Sequence, residues 1–230
     1  MNMLKNKVVF ITGGASGIGG AITSVLLKQG AKIFNLSRAS TLPNSESIIS
    51  VRGDVGSETD VKSAFKLCLE TFKTVDILIN NAGVGIPTPD LAEATLDVYE
   101  TMVNTNMRGV FLCNREALKI MKHQQSGHII TIVSMAAQRT NPNAPLYCAS
   151  KFGARGLMGG MADQVLKDGI KVTEINPGPV DSNYWGDRQV DRDKFLTVDD
   201  VARVVLFTLS QPNYIVIREI NFDNIKHFSR

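Results

Sequence analysis

The 230-residue sequence predicts an α/β fold. The expected architecture is one doubly wound domain over residues 1–230, with about seven parallel strands and helices on both faces. Three observations predict it. Short apolar, β-branched runs alternate with helical segments along the whole chain. Most of those runs are apolar throughout, the pattern of strands covered on both sides. A glycine-rich turn joins the first strand directly to the first helix.

Residues 7–12 (KVVFIT) read as the first strand. The turn after it opens a helix over 17–29, ended by Gly30. A second strand covers 31–36 (AKIFNL) and a short third covers 48–51. A helix at 58–72 precedes a fourth strand, 75–79, which runs into NNAG. A long helix, in one or two pieces, spans 96–123. The fifth strand is 128–133 (HIITIV). A helix over 145–166 carries the pentapeptide YCASK. The sixth strand, 171–175, ends at PGPV. Residues 181–196 are polar and irregular. A helix at 198–209 and a last strand near 214–222 complete the order. No linker, repeat or low-complexity segment interrupts it.

Composition narrows the function classes. The chain is 43% hydrophobic and 20% charged, as in soluble globular proteins. Its net charge is +3, with the basic residues scattered. No run of Lys or Arg points to nucleic acid or an acidic membrane. No apolar stretch reaches the roughly 18 residues a membrane helix needs. The N-terminus runs straight into a strand, without the pattern of a secretory signal. A cytoplasmic location is expected. Cys68, Cys113 and Cys148 are odd in number and form no C-x-x-C pair, so reduced thiols are expected. His123, His128 and His227 lack metal-ligand spacing, and no metal site is expected.

Two motifs carry chemistry. In T-G-G-A-S-G-I-G, residues 12–19, Gly13 permits a tight turn, Gly17 admits backbone to a pyrophosphate and Gly19 packs the helix on the sheet. Free N–H groups and the dipole at the helix start, around Ser16, Gly17, Ile18 and Gly19, favour phosphates. In YCASK, Tyr147 and Lys151 lie one helical turn apart on one face. A phenol normally titrates near pH 10. A neighbouring ammonium favours the phenolate, so the pair suits proton exchange with a carbonyl or alcohol.

TGGASGIG, NNAG (residues 80–83), NTNMRG (104–109), IVS (132–134), YCASK and PGPV (177–180) stand in the order and spacing of the short-chain dehydrogenase/reductase family. The sequence resembles that family well over about residues 5–182 and loosely beyond. The resemblance implies a Rossmann-type sheet, a nicotinamide cofactor and hydride transfer to or from a carbonyl or alcohol carbon. It implies a catalytic set of Asn106, Ser134, Tyr147 and Lys151. Tyr147 would be general acid in reduction and base in oxidation. Ser134 would donate a hydrogen bond to the substrate oxygen. Lys151 would contact the nicotinamide ribose and lower the Tyr147 pKa. Asn106 would hold a water in a proton path from Lys151 to solvent.

The same resemblance implies the cofactor contacts. Asp54 would accept from the adenine amine, with Val55 adding a backbone contact. Asn81, Ala82 and Gly83 would lie against the adenine ribose, and Asn80 would support the sheet. Pro177, Gly178 and Val180 would bring backbone to the nicotinamide amide. Ser182 replaces the family's usual Thr and keeps its hydroxyl. At the end of the second strand Ser37 stands where an NAD-preferring enzyme has an acidic residue, and Arg38 follows. With no carboxylate there and a guanidinium to pair with a 2′-phosphate, NADP(H) is expected over NAD(H). Ser16 departs from the pattern, since many NADP-preferring relatives carry a basic residue there.

The substrate is expected to be a small polar ketone, aldehyde or hydroxy acid, because 181–196 (DSNYWGDRQVDRDKFL) offers no long apolar lid. Arg139, Asn141, Tyr184, Trp185 and Arg188 are the candidates at its mouth. The two aromatics either cover the pocket or anchor the loop. A 3-oxoacyl-carrier-protein reductase is the alternative, although the C-terminus lacks the glycines usual there. A protein that senses NADP(H) without turnover is the second class, and four filled catalytic positions argue against it. Family members pair through the long helices, so a homodimer or homotetramer is expected. Phe152, Ala154, Leu157, Met158, Met161 and Ala162 would serve one face on the sheet and one on a partner.

Overall fold

The computed structural model describes residues 3–39 and 41–228. Thirteen main elements follow in order: β1 (Val8–Thr12), α1 (Gly17–Lys28), β2 (Lys32–Ser37), β3 (Ile48–Arg52), α2 (Glu58–Phe72), β4 (Ile77–Asn80), α3 (Leu96–Val103), α4 (Gly109–Gln124), β5 (Gly127–Ile132), α5 (Pro145–Val165), β6 (Ile170–Pro177), α6 (Val198–Leu209) and β7 (Glu219–Phe222). The strands form one seven-stranded parallel sheet in the order β3-β2-β1-β4-β5-β6-β7.

All five residues of β1 are buried because both sheet faces are covered. Val8 and Phe10 join the core beneath α2, α4 and α5, together with Phe34, Leu36, Phe65 and Met158. Val9 and Ile11 point the other way, into the core shared with Ile22 and Leu26 of α1 and Val201 and Val205 of α6. Successive strand residues face opposite sides, so one apolar run feeds two cores. The helix starts are locally encoded. Thr197 and Asp200 form a reciprocal capping box at α6.

The long helical stretch falls in two pieces, one of the two forms expected, with α3 and α4 joined by a π-helical turn at Asn104–Arg108. Two strand bounds need correction. The fourth strand covers Ile77–Asn80, and just before it the Asp76 carboxylate accepts from the Val8 backbone N–H at 2.9 Å. The last strand covers only Glu219–Phe222; the chain before it reaches β6 through the Thr173 hydroxyl on the Ile217 carbonyl, 2.6 Å.

The strand order reverses between β1 and β4. In such sheets the crevice opens at the carboxyl ends of the strands around that point. The glycine-rich turn, NNAG, Ser134 and PGPV all follow carboxyl ends of strands, so the fold gathers them on one rim.

Candidate active site

One cleft of about 860 Å³ runs along this rim. Gly13, Ser16, Gly17, Ile18, Gly19, Ser37, Arg38, Val55, Asn81, Ala82, Gly83, Ser134, Tyr147, Lys151, Pro177, Gly178, Val180 and Ser182 all line it. Two of the expected residues do not. Asn106 lies behind the wall, and Asp54 faces aside.

The glycine-rich turn is built for close approach. Gly13 and Gly17 have φ of +66° and +53°, which L side chains rarely adopt. A β-carbon on Gly19 would stand 2.0 Å from the Gly13 carbonyl oxygen. Asn81 clamps the turn by donating to the carbonyls of Thr12 and Gly13, at 3.0 and 3.1 Å. The Thr12 hydroxyl in return accepts from the backbone N–H of Asn81 and Ala82. Asn80 supports the sheet, donating to Asn114 and Thr131.

Asn106 occupies the π-helical turn and is 1% exposed. Its amide bonds both ways to the Val84 backbone, accepting at 2.9 Å and donating at 2.8 Å. It also donates to Ser150 Oγ, whose proton goes to the Tyr147 carbonyl at 2.7 Å. Asn106 thus ties the loop after β4 to the helix bearing Tyr147. A β-carbon on Gly83 would meet Asn106 Oδ1 at 3.4 Å and Lys151 Nζ at 3.5 Å, so both reach the same glycine.

The Tyr147 phenol faces Ser134 and the phenol of Tyr184, whose ring centre lies 6.1 Å from its own. Burial, reinforced by Tyr184, pushes its pKa above the usual phenol range, against the opposing pull of Ser134. This corrects the expected depression by Lys151. The ammonium lies 5.8 Å from the Tyr147 ring centre and donates to the Ile132 carbonyl at 3.3 Å. Burial brings Lys151 itself down to about 8. The shared helix face is real, but the lysine points past the phenol to the end of β5.

At the adenine end, Arg38 lies 3.6 Å from the Asp54 carboxylate. The second strand carries no acid at its end, but Asp54 brings one from across β3. Its other oxygen accepts from the Gly56 backbone at 2.8 Å, making Asp54 a turn-former.

The loop over 181–196 has two kinds of aromatic. Trp185 anchors it, donating from Nε1 to the Val180 carbonyl at 2.8 Å and packing on Phe195. Tyr184 covers the site, reaching over Gly85 to Tyr147. Arg139 and Arg188 line the cleft, as does Asn141, whose side chain caps Asn143 N. Sequence reasoning missed His227 and the buried Asp223. His227 lines the cleft and contacts Asp223, which also takes Arg139 at 3.5 Å and fills the space beside Gly178.

Cys68, Cys113 and Cys148 are free and buried. Among the described residues no helix is long and apolar enough to cross a membrane, and no group of His, Cys, Asp and Glu could hold a metal ion.

Comparison with known proteins gives three results. Residues 7–193 match the family described as short chain dehydrogenase. An uncharacterized oxidoreductase of Staphylococcus aureus (strain USA300) is 31% identical over 227 residues, covering 96% of this chain and 98% of the relative. Two solved structures share the fold. The 3-ketoacyl-(acyl-carrier-protein) reductase of Brucella melitensis, complexed with NADH, has a TM-score of 0.89 at 26% identity, covering 96% of this chain and 98% of that one. The alcohol dehydrogenase of Thermococcus sibiricus, complexed with 5-hydroxy-NADP, has a TM-score of 0.86 at 24% identity, covering 95% and 97%.

Proposed function

The chain belongs to the short-chain dehydrogenase family and is an NAD(P)-dependent oxidoreductase, and from that premise we propose that it reduces a small carbonyl substrate with NADPH, Tyr147 acting as the acid. The observation that carries this reading is Tyr147, set beside Ser134 one helical turn from buried Lys151, on the rim that also holds the glycine-rich turn.

The residues fit a dinucleotide. Gly13 and Gly17 leave their left-handed turn open to the cleft, where Ser16 to Gly19 would hold the pyrophosphate. Val55 and Asn81 to Gly83 would flank the adenosine half. Pro177, Gly178, Val180 and Ser182 would present backbone and a hydroxyl to the nicotinamide amide. When bound, the nicotinamide supplies or accepts the hydride.

Ser134 orients the substrate oxygen and stabilises the charge that grows on it. Tyr147, kept protonated by burial, gives its proton to that oxygen. Lys151, brought down to about 8 by burial, holds an exchangeable proton on the same side of the site. Asn106 fixes the Tyr147 carbonyl through Ser150 and holds the lysine side of the site, consistent with a proton path to solvent on that side.

Arg38 supports NADP(H) over NAD(H), with Ser37 beside it in place of a carboxylate. The Asp54 pairing weakens this only in part, since both side chains are about half exposed. A homodimer or homotetramer belongs to the same reading. It is supported by Phe111 of α4 and Phe152 of α5, 44% and 40% exposed on neighbouring helices. A cytoplasmic location accords with the free thiols.

The experiment is a panel of carbonyls with NADPH and NADH, following loss of the reduced-cofactor absorbance. Turnover with NADPH, abolished in Tyr147→Phe while that variant still binds cofactor, is the expected result. No turnover, with cofactor-induced thermal stabilisation, would replace the reading with a cofactor sensor. A strong preference for long-chain acyl thioesters would turn it towards acyl-carrier substrates.

A further inference from the structure

Among the described residues, every charged residue lining the cleft is cationic: Arg38, Arg139, Lys151, Arg188 and, when protonated, His227. Arg38 lies at the adenine end, and Lys151 lies behind the reacting groups. The others crowd the substrate mouth. Arg139 and His227 share the buried carboxylate of Asp223, so their charge is partly answered. Arg188 is different. Among the described residues it has no carboxylate within ion-pair distance, while its loop neighbours Asp181 and Asp191 are taken by Arg192 and Lys194.

Arg188 is also held in place. Its Nε donates to the Trp185 carbonyl at 2.9 Å, and its Nη2 donates to the Tyr184 carbonyl. Its guanidinium lies 5.0 Å from the Tyr184 ring centre and 5.2 Å from that of Trp185. Those contacts use two of its five N–H donors and leave a fork free. The Tyr184 ring neighbours both the guanidinium, at 5.0 Å, and the Tyr147 ring, whose centre is 6.1 Å away. A fixed, unanswered guanidinium beside a reacting carbonyl is suited to bidentate capture of a carboxylate.

We propose that the substrate is a short oxo acid, or the matching hydroxy acid, whose carboxylate is anchored by Arg188 while its carbonyl faces Ser134 and Tyr147. The inference rests on the oxidoreductase reading above and adds the class of substrate. The cationic mouth would also raise the local concentration of anions.

The test pairs short 2- and 3-oxo acids with their methyl esters, using the wild type, Arg188→Met and Arg188→Lys. Two readouts are taken: kcat/KM with NADPH, and calorimetric binding to the protein–NADPH complex. A charge-assisted bidentate contact predicts that the wild type favours acid over ester by about tenfold or more. Arg188→Met should lose that preference, its KM rising about tenfold more for the acid than for the ester, with the KM for NADPH little changed; a loss shared by both substrates would report the Tyr184 and Trp185 carbonyls that Arg188 also holds. Arg188→Lys should keep part of it. Equal use of acid and ester by the wild type would overturn the proposal. So would a raised KM for NADPH in Arg188→Met with both substrates, which would put Arg188 on a cofactor phosphate. Turnover of neutral carbonyls without oxo acids sinks this inference alone. No turnover of any carbonyl, with cofactor bound, sinks the parent reading, and calorimetry then decides the anionic subsite by itself.

Discussion

The hydroxyl of Tyr184 occupies the space beside Gly85 where a side chain would begin: a β-carbon there would fall 1.6 Å from the phenol oxygen. The same residue faces Tyr147, their ring centres 6.1 Å apart. Position 85 therefore controls whether the loop over 181–196 can close on the catalytic tyrosine. The obstructing atom is the tip of a side chain, so Gly85→Ala should fold and simply push Tyr184 away. Loss of one polar contact at the site corresponds to about 1 kcal/mol, or roughly fivefold in kcat/KM. Gly85→Ala and Tyr184→Phe should each show a loss of that order. The double variant should be no worse than either, because both remove one contact. Additive losses in steady-state kinetics would show that the two residues act separately.

Lys151 should reduce stability in return for function. It is 6% exposed, makes one hydrogen bond to a backbone carbonyl and has no carboxylate partner among the described residues. Burial lowers its pKa from 10.5 to about 8. A base depressed on folding is least favourable below the folded pKa, and the penalty is relieved as pH rises towards the unfolded value. Lys151→Met should therefore abolish turnover while raising stability at neutral pH by about 1–3 kcal/mol. That gain should shrink between about pH 8 and pH 10.5. Thermal scans of the cofactor-free protein across this range check both sign and window, and a variant less stable than wild type at neutral pH would contradict the account.

Arg38 and Asp54 give a paired prediction on cofactor choice. Arg38→Ala should raise the KM for NADPH about tenfold, by loss of a charge-assisted contact, and leave that for NADH nearly unchanged. Asp54→Asn removes the carboxylate 3.6 Å from Arg38 and should strengthen the NADPH preference. The pair is half exposed, so that effect should be no more than about two- to threefold. Steady-state kinetics with both cofactors decide it. An unchanged NADPH to NADH ratio in Arg38→Ala would make Arg38 a surface charge only.

What was legible in the sequence was local. Strand order follows from the alternation of apolar runs and helices. The glycine-rich turn and YCASK are fixed by backbone geometry within a few residues. The misread parts depend on contacts between distant segments. Asp54 meets Arg38 only because β2 and β3 run side by side. Tyr184 meets Gly85 across about 100 positions, and nothing near either residue announces the partner. Gly85 did carry a faint signal, a second glycine just past NNAG. Asp223 and His227 lie in a tail without periodicity. The helical spacing of Tyr147 and Lys151 correctly set them on one face, yet spacing says nothing about where a four-carbon side chain ends, and Lys151 ends at Ile132.

Glu174 should make stability fall as the pH rises from about 4.5 to about 7. Its side chain is buried on β6, and one oxygen, Oε2, has no hydrogen-bond partner. Two charged groups act on it, Arg155 and Glu219. Arg155 from α5 comes within 3.7 Å, but its Nη2 lies 3.2 Å from Glu219, which repels Glu174. Asn176 and Gln138 both donate to Glu219 and not to Glu174. Burial and then Glu219 raise the Glu174 pKa from 4.5 to about 7, with Arg155 opposing. An acid raised on folding contributes most below its unfolded pKa, and that contribution is lost as pH climbs through the folded value. Glu174→Gln keeps the shape without the charge. Its stability gain over wild type should be near zero at about pH 4.5 and grow to at most about 3 kcal/mol above pH 7. The comparison cancels the opposite contribution of His128, whose ring is buried on Thr173 and held down to about 3, so that acid destabilises both proteins alike. Thermal melts of the two proteins at matched pH provide the measurement. A gain that stays flat across pH would mean that the burial of Glu174 is answered by Arg155 after all.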